Sequence, residues 1–200
     1  MRAQLIRHGK TAGNAERRYI GITDQLLSGQ GRAEAELAQK DPARKTVFVS
    51  PLIRARESAS LLFPNAEQVV LPGLRETDFG VFEGRSADEM ADDPVYRAWV
   101  DGMCLGRCPG GESRGDVVLR AAEAVIETVR QASADPESED PLVFVTHGGV
   151  IMAVLSALAD PPGDYYDFMT PNLCGWEAEC VWENEQLLLK NLKQISFIKS

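Results

Sequence analysis

Apolar positions along this chain fall into short unbroken runs that alternate with stretches of helical spacing. Residues 2–6, 46–50, 68–71 and 142–146 are runs rich in Val, Leu, Ile and Phe, short enough to be strands buried on both faces. Between them the spacing changes. Ser28 offers an N-cap to a helix over 28–40 that turns Ala33, Ala35, Leu37 and Ala38 to one side. Ser50-Pro51-Leu52-Ile53-Arg54 reads as a strand end passing directly into a helix that stops before Pro64, with Pro51 near its first turn. Ser113 and Asp116 form the ends of a capping box before a helix over 114–132, whose Val117, Val118, Ala121, Val125 and Val129 face inward. Residues 150–158 make the most apolar helix, ended by Pro161 and Pro162.

Strands alternating with helices predict an α/β fold, a three-layer α/β/α sandwich with a mainly parallel central sheet, built as one domain over residues 1–200. Residues 174–182 and 186–192, around Glu183-Asn184-Glu185, predict a hairpin at one sheet edge. Residues 87–100 have helical character interrupted by Pro94, and the acidic stretch 134–141 reads as a solvated connector. The segment 7–27, with Asn14, Arg17, Arg18, Gly21, Thr23 and Asp24, is long for a structureless loop, a length that goes with function. A second polar loop, 72–84, carries Glu76, Asp78 and Glu83.

Composition narrows the partners. A net charge of -9 makes the surface repel polyanions, which argues against nucleic acid or an anionic membrane; any bound phosphate needs a locally basic pocket. The chain opens with no apolar segment of signal-peptide length and contains no membrane-length apolar run, so a cytoplasmic protein is expected. Cys104, Cys108, Cys174 and Cys180 lack the spacing of a disulfide scaffold or a C-x-x-C pair; reduced thiols are the expectation, with a zinc site the weaker alternative.

The chemistry concentrates at strand ends. The chain's two histidines, His8 and His147, each follow an apolar strand and precede a glycine, and Arg7 and Arg54 are similarly placed. Ligands in open α/β sheets bind beyond the carboxyl ends of the strands, so these residues are expected to share one pocket. Two guanidinium groups and two imidazoles around one point suit a dianionic phosphoryl group, and a neutral imidazole nitrogen can attack phosphorus to form a phosphohistidine. Glu76 is the candidate proton donor to the leaving alcohol. No Asp/His ligand cluster accompanies them, so neither metal nor cofactor is expected.

The ordered segments Leu5-Ile6-Arg7-His8-Gly9-Lys10-Thr11, Ser50-Pro51-Leu52-Ile53-Arg54-Ala55, Leu74-Arg75-Glu76-Thr77-Asp78-Phe79-Gly80, Gly110-Gly111-Glu112-Ser113 and Val145-Thr146-His147-Gly148-Gly149 resemble the histidine phosphatase superfamily, the phosphoglycerate mutase-like proteins, and are most similar to its short phosphatase branch. The resemblance implies His8 as the phosphorylated nucleophile, Arg7, Arg54 and His147 as phosphate holders, and Glu76 as general acid and then base. It implies further phosphate or substrate contacts from Asn14, Thr23 and Gly148, and a basic residue near the entrance at Arg18. Lys10 stands where the family usually has Glu and is expected to add positive charge near the site; Leu26 replaces a usual proline, with consequences for loop stiffness alone. A small phosphorylated metabolite is the implied partner, α-ribazole phosphate among the possibilities. The compact segment between Gly84 and Gly110 favours hydrolysis over the transfer of a mutase, whose longer insertion there closes over substrate. A non-catalytic phosphate-binding module is disfavoured because both His8 and Glu76 are present.

Overall fold

Strand β1 (Arg2–Arg7) lies near the middle of a sheet because its side chains are wanted on both faces: Ala3 and Leu5 pack to one side and Ile6 to the other, all buried. The computed structural model describes residues 1–133 and 140–198. The acidic connector expected at 134–141 lies outside the described residues except for its last two. After β1 come α1 (Ala12–Ala15), α2 (Gly29–Leu37), β2 (Thr46–Val49), α3 (Ile53–Leu62) and β3 (Glu67–Val70). They are followed by α4 (Pro94–Asp101), α5 (Arg114–Ala132), β4 (Leu142–Thr146) and α6 (Gly148–Leu158). The chain closes with β5 (Ala159–Asp160), β6 (Cys174–Glu183) and β7 (Gln186–Ser196).

The strands form one sheet in the order β3-β2-β4-β1-β6-β7-β5. The first four are parallel to one another, whereas β6 runs antiparallel to both β1 and β7. Helices α5 and α6 cover the face that carries Leu5 and Phe144; α2 and α3 cover the face that carries Ile6, Val47, Val49, Val143 and Val145. This is the expected three-layer α/β/α arrangement with a mostly parallel sheet.

Local departures have physical causes. A short helix, α1, sits inside the expected loop because Thr11 and Asn14 make a reciprocal capping box. Helix α2 ends at Leu37 rather than 40, since Ala38 turns extended and the Gln39 N–H is captured by the Phe197 carbonyl. Helix α6 ends before Pro161: Ala159 and Asp160 pair in parallel with Leu189 and Lys190 as β5, which takes the sheet edge expected for the hairpin. The hairpin itself is longer than expected, reaching Ser196, and β6 lies against β1. Pro94 starts α4 rather than breaking a longer helix, with the Asp93 carboxylate capping the Val95 and Tyr96 N–H groups. Among the described residues no helix is long and apolar enough to cross a membrane.

Candidate active site

Strand register assembles the centre. In β1 and β4, Ile6 lies beside Val145 and Arg7 beside Thr146, and the ladder continues one step further as the His8 N–H donates to the Thr146 carbonyl. On the other side of β4, Val49 pairs with Val145 and the Ser50 N–H donates to the Val145 carbonyl. Three adjacent parallel strands therefore end level with one another, delivering His8, His147 and Ser50 to a common crevice. The imidazole rings of His8 and His147 stand edge to face with centroids 5.0 Å apart, and both residues are buried.

Hydrogen bonds settle the state of His8. Its Nδ1 lies 2.6 Å from the Gly9 carbonyl oxygen, which can only accept, so Nδ1 carries the proton and Nε2 of the neutral ring keeps its lone pair. Neutrality is favoured electrostatically: burial, then the charges of Arg54 and Arg7, hold the His8 pKa well below its ordinary 6.5, against the pull of the Gly9 carbonyl. His147 is likewise pushed well below 6.5, by burial first and then by His8, Arg54 and Arg7. Its Nε2 is 2.7 Å from the Ser50 hydroxyl.

The arginines are oriented by carbonyls. Arg7 Nη1 donates to the Thr170 carbonyl at 2.7 Å, and its guanidinium packs on Gly148, where an added Cβ would meet Nε at 3.3 Å. Arg54 enters at the second residue of α3 and is 1% exposed; its terminal nitrogens donate to the carbonyls of Ile20, Gly21 and Thr23. That loop is stapled in turn by Glu83, whose carboxylate accepts from the Gly21, Ile22 and Thr23 N–H groups and the Thr23 hydroxyl. Burial draws both arginine pKa values down from the ordinary guanidinium range, and the Glu76 carboxylate opposes this in each case. After these bonds are counted, Arg7 Nε, Arg54 Nε and His147 Nδ1 are buried with no partner. Orphaned buried nitrogens are costly, and three of them around His8 describe a place shaped for an anion.

Glu76 approaches from the loop after β3. One carboxylate oxygen accepts from the Thr77 N–H at 2.9 Å and the other from the Gly149 N–H at 3.2 Å, in the first turn of α6. A Cβ at Gly149 would sit 2.5 Å from Glu76 Oε1 and push the carboxylate from this position. Arg120 on α5 fixes this loop by donating to the carbonyls of Gly73, Arg75 and Glu76, while Glu112 accepts from Arg120, Arg75 and the Asp78 N–H.

Of the residues singled out in the sequence, His8, His147, Arg7, Arg54, Glu76 and Gly148 come together. Asn14 lies one bond away: its Oδ1 accepts from Thr11 N–H and from Asn172 Nδ2, which also donates to the His8 carbonyl. Thr23 offers its carbonyl to Arg54 and its hydroxyl to Glu83. Arg18 turns elsewhere, bonded to Glu16, Glu89 and the Gly84 carbonyl. Lys10 pairs with Glu34 on α2 at 3.2 Å, so its charge is balanced at the surface rather than added to the site. The four cysteines are free thiols, and no group of three His, Cys, Asp or Glu positioned to hold a metal occurs among the described residues.

Sequence reading missed Ser50, Gly149, Asn172, Glu83 and Arg120 as participants. Ser50 carried a usable signal, its place at the end of a buried strand. Asn172 and Arg120 carried none, because their partners are far away in the chain.

Comparisons with known proteins place the chain in a family. A glucosyl-3-phosphoglycerate phosphatase from Mycolicibacterium vanbaalenii is 37% identical over 172 residues, 82% of this chain and 76% of that protein. A 2,3-bisphosphoglycerate-dependent phosphoglycerate mutase from Gloeobacter violaceus is 32% identical over 166 residues, 77% of this chain and 74% of that protein. The solved structure of a mycobacterial hydrolase superposes with a TM-score of 0.80 at 28% identity, covering 100% of this chain and 99% of the other. The family model of the histidine phosphatase superfamily (branch 1) matches residues 4–193, and the chain belongs to that superfamily as an enzyme of the phosphatase type.

Proposed function

We propose that the protein hydrolyses small phosphomonoesters through a phosphohistidine on His8. The observation that carries this reading is the trio of buried, unpartnered nitrogens, Arg7 Nε, Arg54 Nε and His147 Nδ1, around an imidazole whose Nε2 keeps its lone pair. A phosphoryl group seated there meets positive charge on its oxygens and a nucleophile in line with phosphorus. His8 Nε2 attacks, the P–O bond to the alcohol breaks, and Glu76 supplies the proton that the departing alkoxide needs. Water then attacks the phosphohistidine, gives its proton to Glu76, and releases phosphate with His8 restored. α-Ribazole phosphate and a broader set of small esters both satisfy this chemistry, and a panel of phosphomonoesters given to the purified protein distinguishes them.

Transfer to a second substrate hydroxyl, as in a mutase, is the alternative, and one feature favours it. The segment between Gly84 and Gly110 is compact, yet it is not an open loop: its Met90, Tyr96 and Cys108 form a small core with Phe82, and Trp99 and Cys104 wall the cavity beside Glu76. Walls that exclude water serve transfer. Incubation of 3-phosphoglycerate with a trace of 2,3-bisphosphoglycerate separates the two readings. Free phosphate or no reaction is expected; rapid formation of 2-phosphoglycerate without phosphate release overturns the hydrolase assignment. Trapping an acid-labile phosphoenzyme that His8→Ala abolishes tests the covalent step itself.

A further inference from the structure

Beside the phosphoryl position, a cavity of about 260 Å³ shares Glu76 and Gly149 with the catalytic crevice. A group that leaves phosphorus on the Glu76 side therefore enters it. Its walls are the side chains of Tyr19, Phe79, Trp99, Met152, Tyr165 and Tyr166. The polar atoms of these rings are already bonded to the protein. Tyr19 and Tyr96 share a hydroxyl contact of 2.9 Å, Trp99 Nε1 donates to the Gly106 carbonyl, the Tyr165 hydroxyl donates to the Gly149 carbonyl, and the Tyr166 hydroxyl accepts from Arg114. What they present to an occupant is mainly ring face and edge. A polyol or hydroxy acid placed here loses water and finds few partners, whereas a flat apolar ring finds stacking surfaces.

One cation interrupts this apolar lining. The guanidinium carbon of Arg114 lies 4.1 Å from the centroid of the Tyr165 ring and 5.1 Å from that of Tyr166. Its Nη2 donates to the Met103 carbonyl and the Tyr166 hydroxyl, and it has no carboxylate partner among the described residues. Its neighbours differ: Arg107 is paired with Asp116 and Arg120 with Glu112. Glu112, also in the cavity wall, is committed to Arg75, Arg120 and the Asp78 N–H. Arg114 thus offers an unpaired charge, flattened on aromatic faces, to whatever occupies the cavity.

We propose that the preferred substrates are phosphomonoesters of alcohols that carry a planar apolar ring, with an anionic group on that ring facing Arg114. This rests on the phosphohistidine reading for the location of phosphorus, and its tests are chosen to fail separately from it. The first compares kcat/KM for glycerol 3-phosphate, benzyl phosphate and 4-carboxybenzyl phosphate. Benzyl phosphate is expected to exceed glycerol 3-phosphate by about tenfold or more, the order that a ring in an apolar pocket provides over an unmatched hydroxyl. The carboxylate is expected to add roughly a further fivefold, typical of a partly desolvated ion pair. Trp99→Ala should bring the benzyl-to-glycerol ratio towards one, and Arg114→Gln should abolish the carboxylate advantage. Equal kcat/KM for benzyl and glycerol esters in an enzyme that forms phosphoenzyme normally overturns the subsite and leaves the chemistry standing. The second test needs no turnover: binding of the product alcohol, 4-(hydroxymethyl)benzoate, followed by quenching of the Trp99 indole. Saturable quenching that Arg114→Gln weakens supports the subsite even in the His8→Ala protein; no Trp99 response overturns it.

Discussion

Ser50 and His147 are joined by a buried contact of 2.7 Å between the serine hydroxyl and the imidazole Nε2, made possible because β2 and β4 end level with each other. With Nε2 engaged, the ring orientation is set and Nδ1 is left as an unpartnered nitrogen of the crevice. Ser50→Ala removes the contact and leaves the buried Nε2 without its partner, at a cost of about 1–3 kcal/mol. A lower thermal midpoint is expected together with a fall in kcat/KM of roughly tenfold or more, as the ring loses its orientation. Wild-type kinetics in Ser50→Ala would show that His147 is held by packing alone.

The two histidines make stability depend on pH in a definite direction. Both are held well below the ordinary 6.5 in the folded protein, by burial and then by neighbouring positive charges. The unfolded chain takes up protons near 6.5 where the folded chain does not, so the unfolded state binds more protons there and stability falls as pH drops below that value. Above it, the two states bind alike and the contribution is constant. The urea midpoint is expected to decline between about pH 7 and about pH 5.5, less steeply in His147→Asn than in the wild type. Identical slopes in the two proteins would place the proton uptake elsewhere.

Glu76→Gln tests the proton donor through its dependence on the leaving group. A basic alkoxide needs a proton as it departs and an activated aryl oxide does not, so the loss is expected to be roughly 10²- to 10⁴-fold on alkyl esters and much smaller on p-nitrophenyl phosphate. Equal losses on both substrates count against Glu76 as the acid.

If Glu76 is that acid, Arg120 positions it, since it holds the carbonyls of Gly73, Arg75 and Glu76 while paired with Glu112. Arg120→Met should lower kcat with the same alkyl-over-aryl bias as Glu76→Gln, on the order of 10²-fold for alkyl esters if the carboxylate drifts by about an ångström. A uniform loss on alkyl and aryl esters would mean that Arg120 supports the fold and not the placement of Glu76.

On the proposed reading, charge on the phosphoryl oxygens is met by Arg7, Arg54 and His147, each of which keeps one buried nitrogen without a partner. Excess EDTA is therefore expected to leave turnover unchanged. Activity lost to chelator and restored by a divalent ion would overturn the assignment of charge stabilisation to these three residues.

The sequence by itself determined the elements and the chemical inventory. Hydrophobic period and end signals are local properties, so the apolar runs of β1, β2 and β4, the capping box of Ser113 and Asp116 and the strand-end positions of His8 and His147 were readable without knowing any neighbour. The ordered segments around Arg7, Arg54, Glu76 and His147 carried the family for the same reason: each is contiguous. Only the tertiary structure decided who faces whom. The order β2-β4-β1 set His8, His147 and Ser50 side by side, a relation that depends on which strands pair. Two arginines of similar local character then parted company: Arg18 was drawn to Glu89 across 71 positions of chain, whereas Arg114 settled on tyrosine rings with no carboxylate within reach among the described residues. A long charged side chain takes whichever partner packing brings near it. That choice is made by contacts distant in sequence, and no local pattern records it.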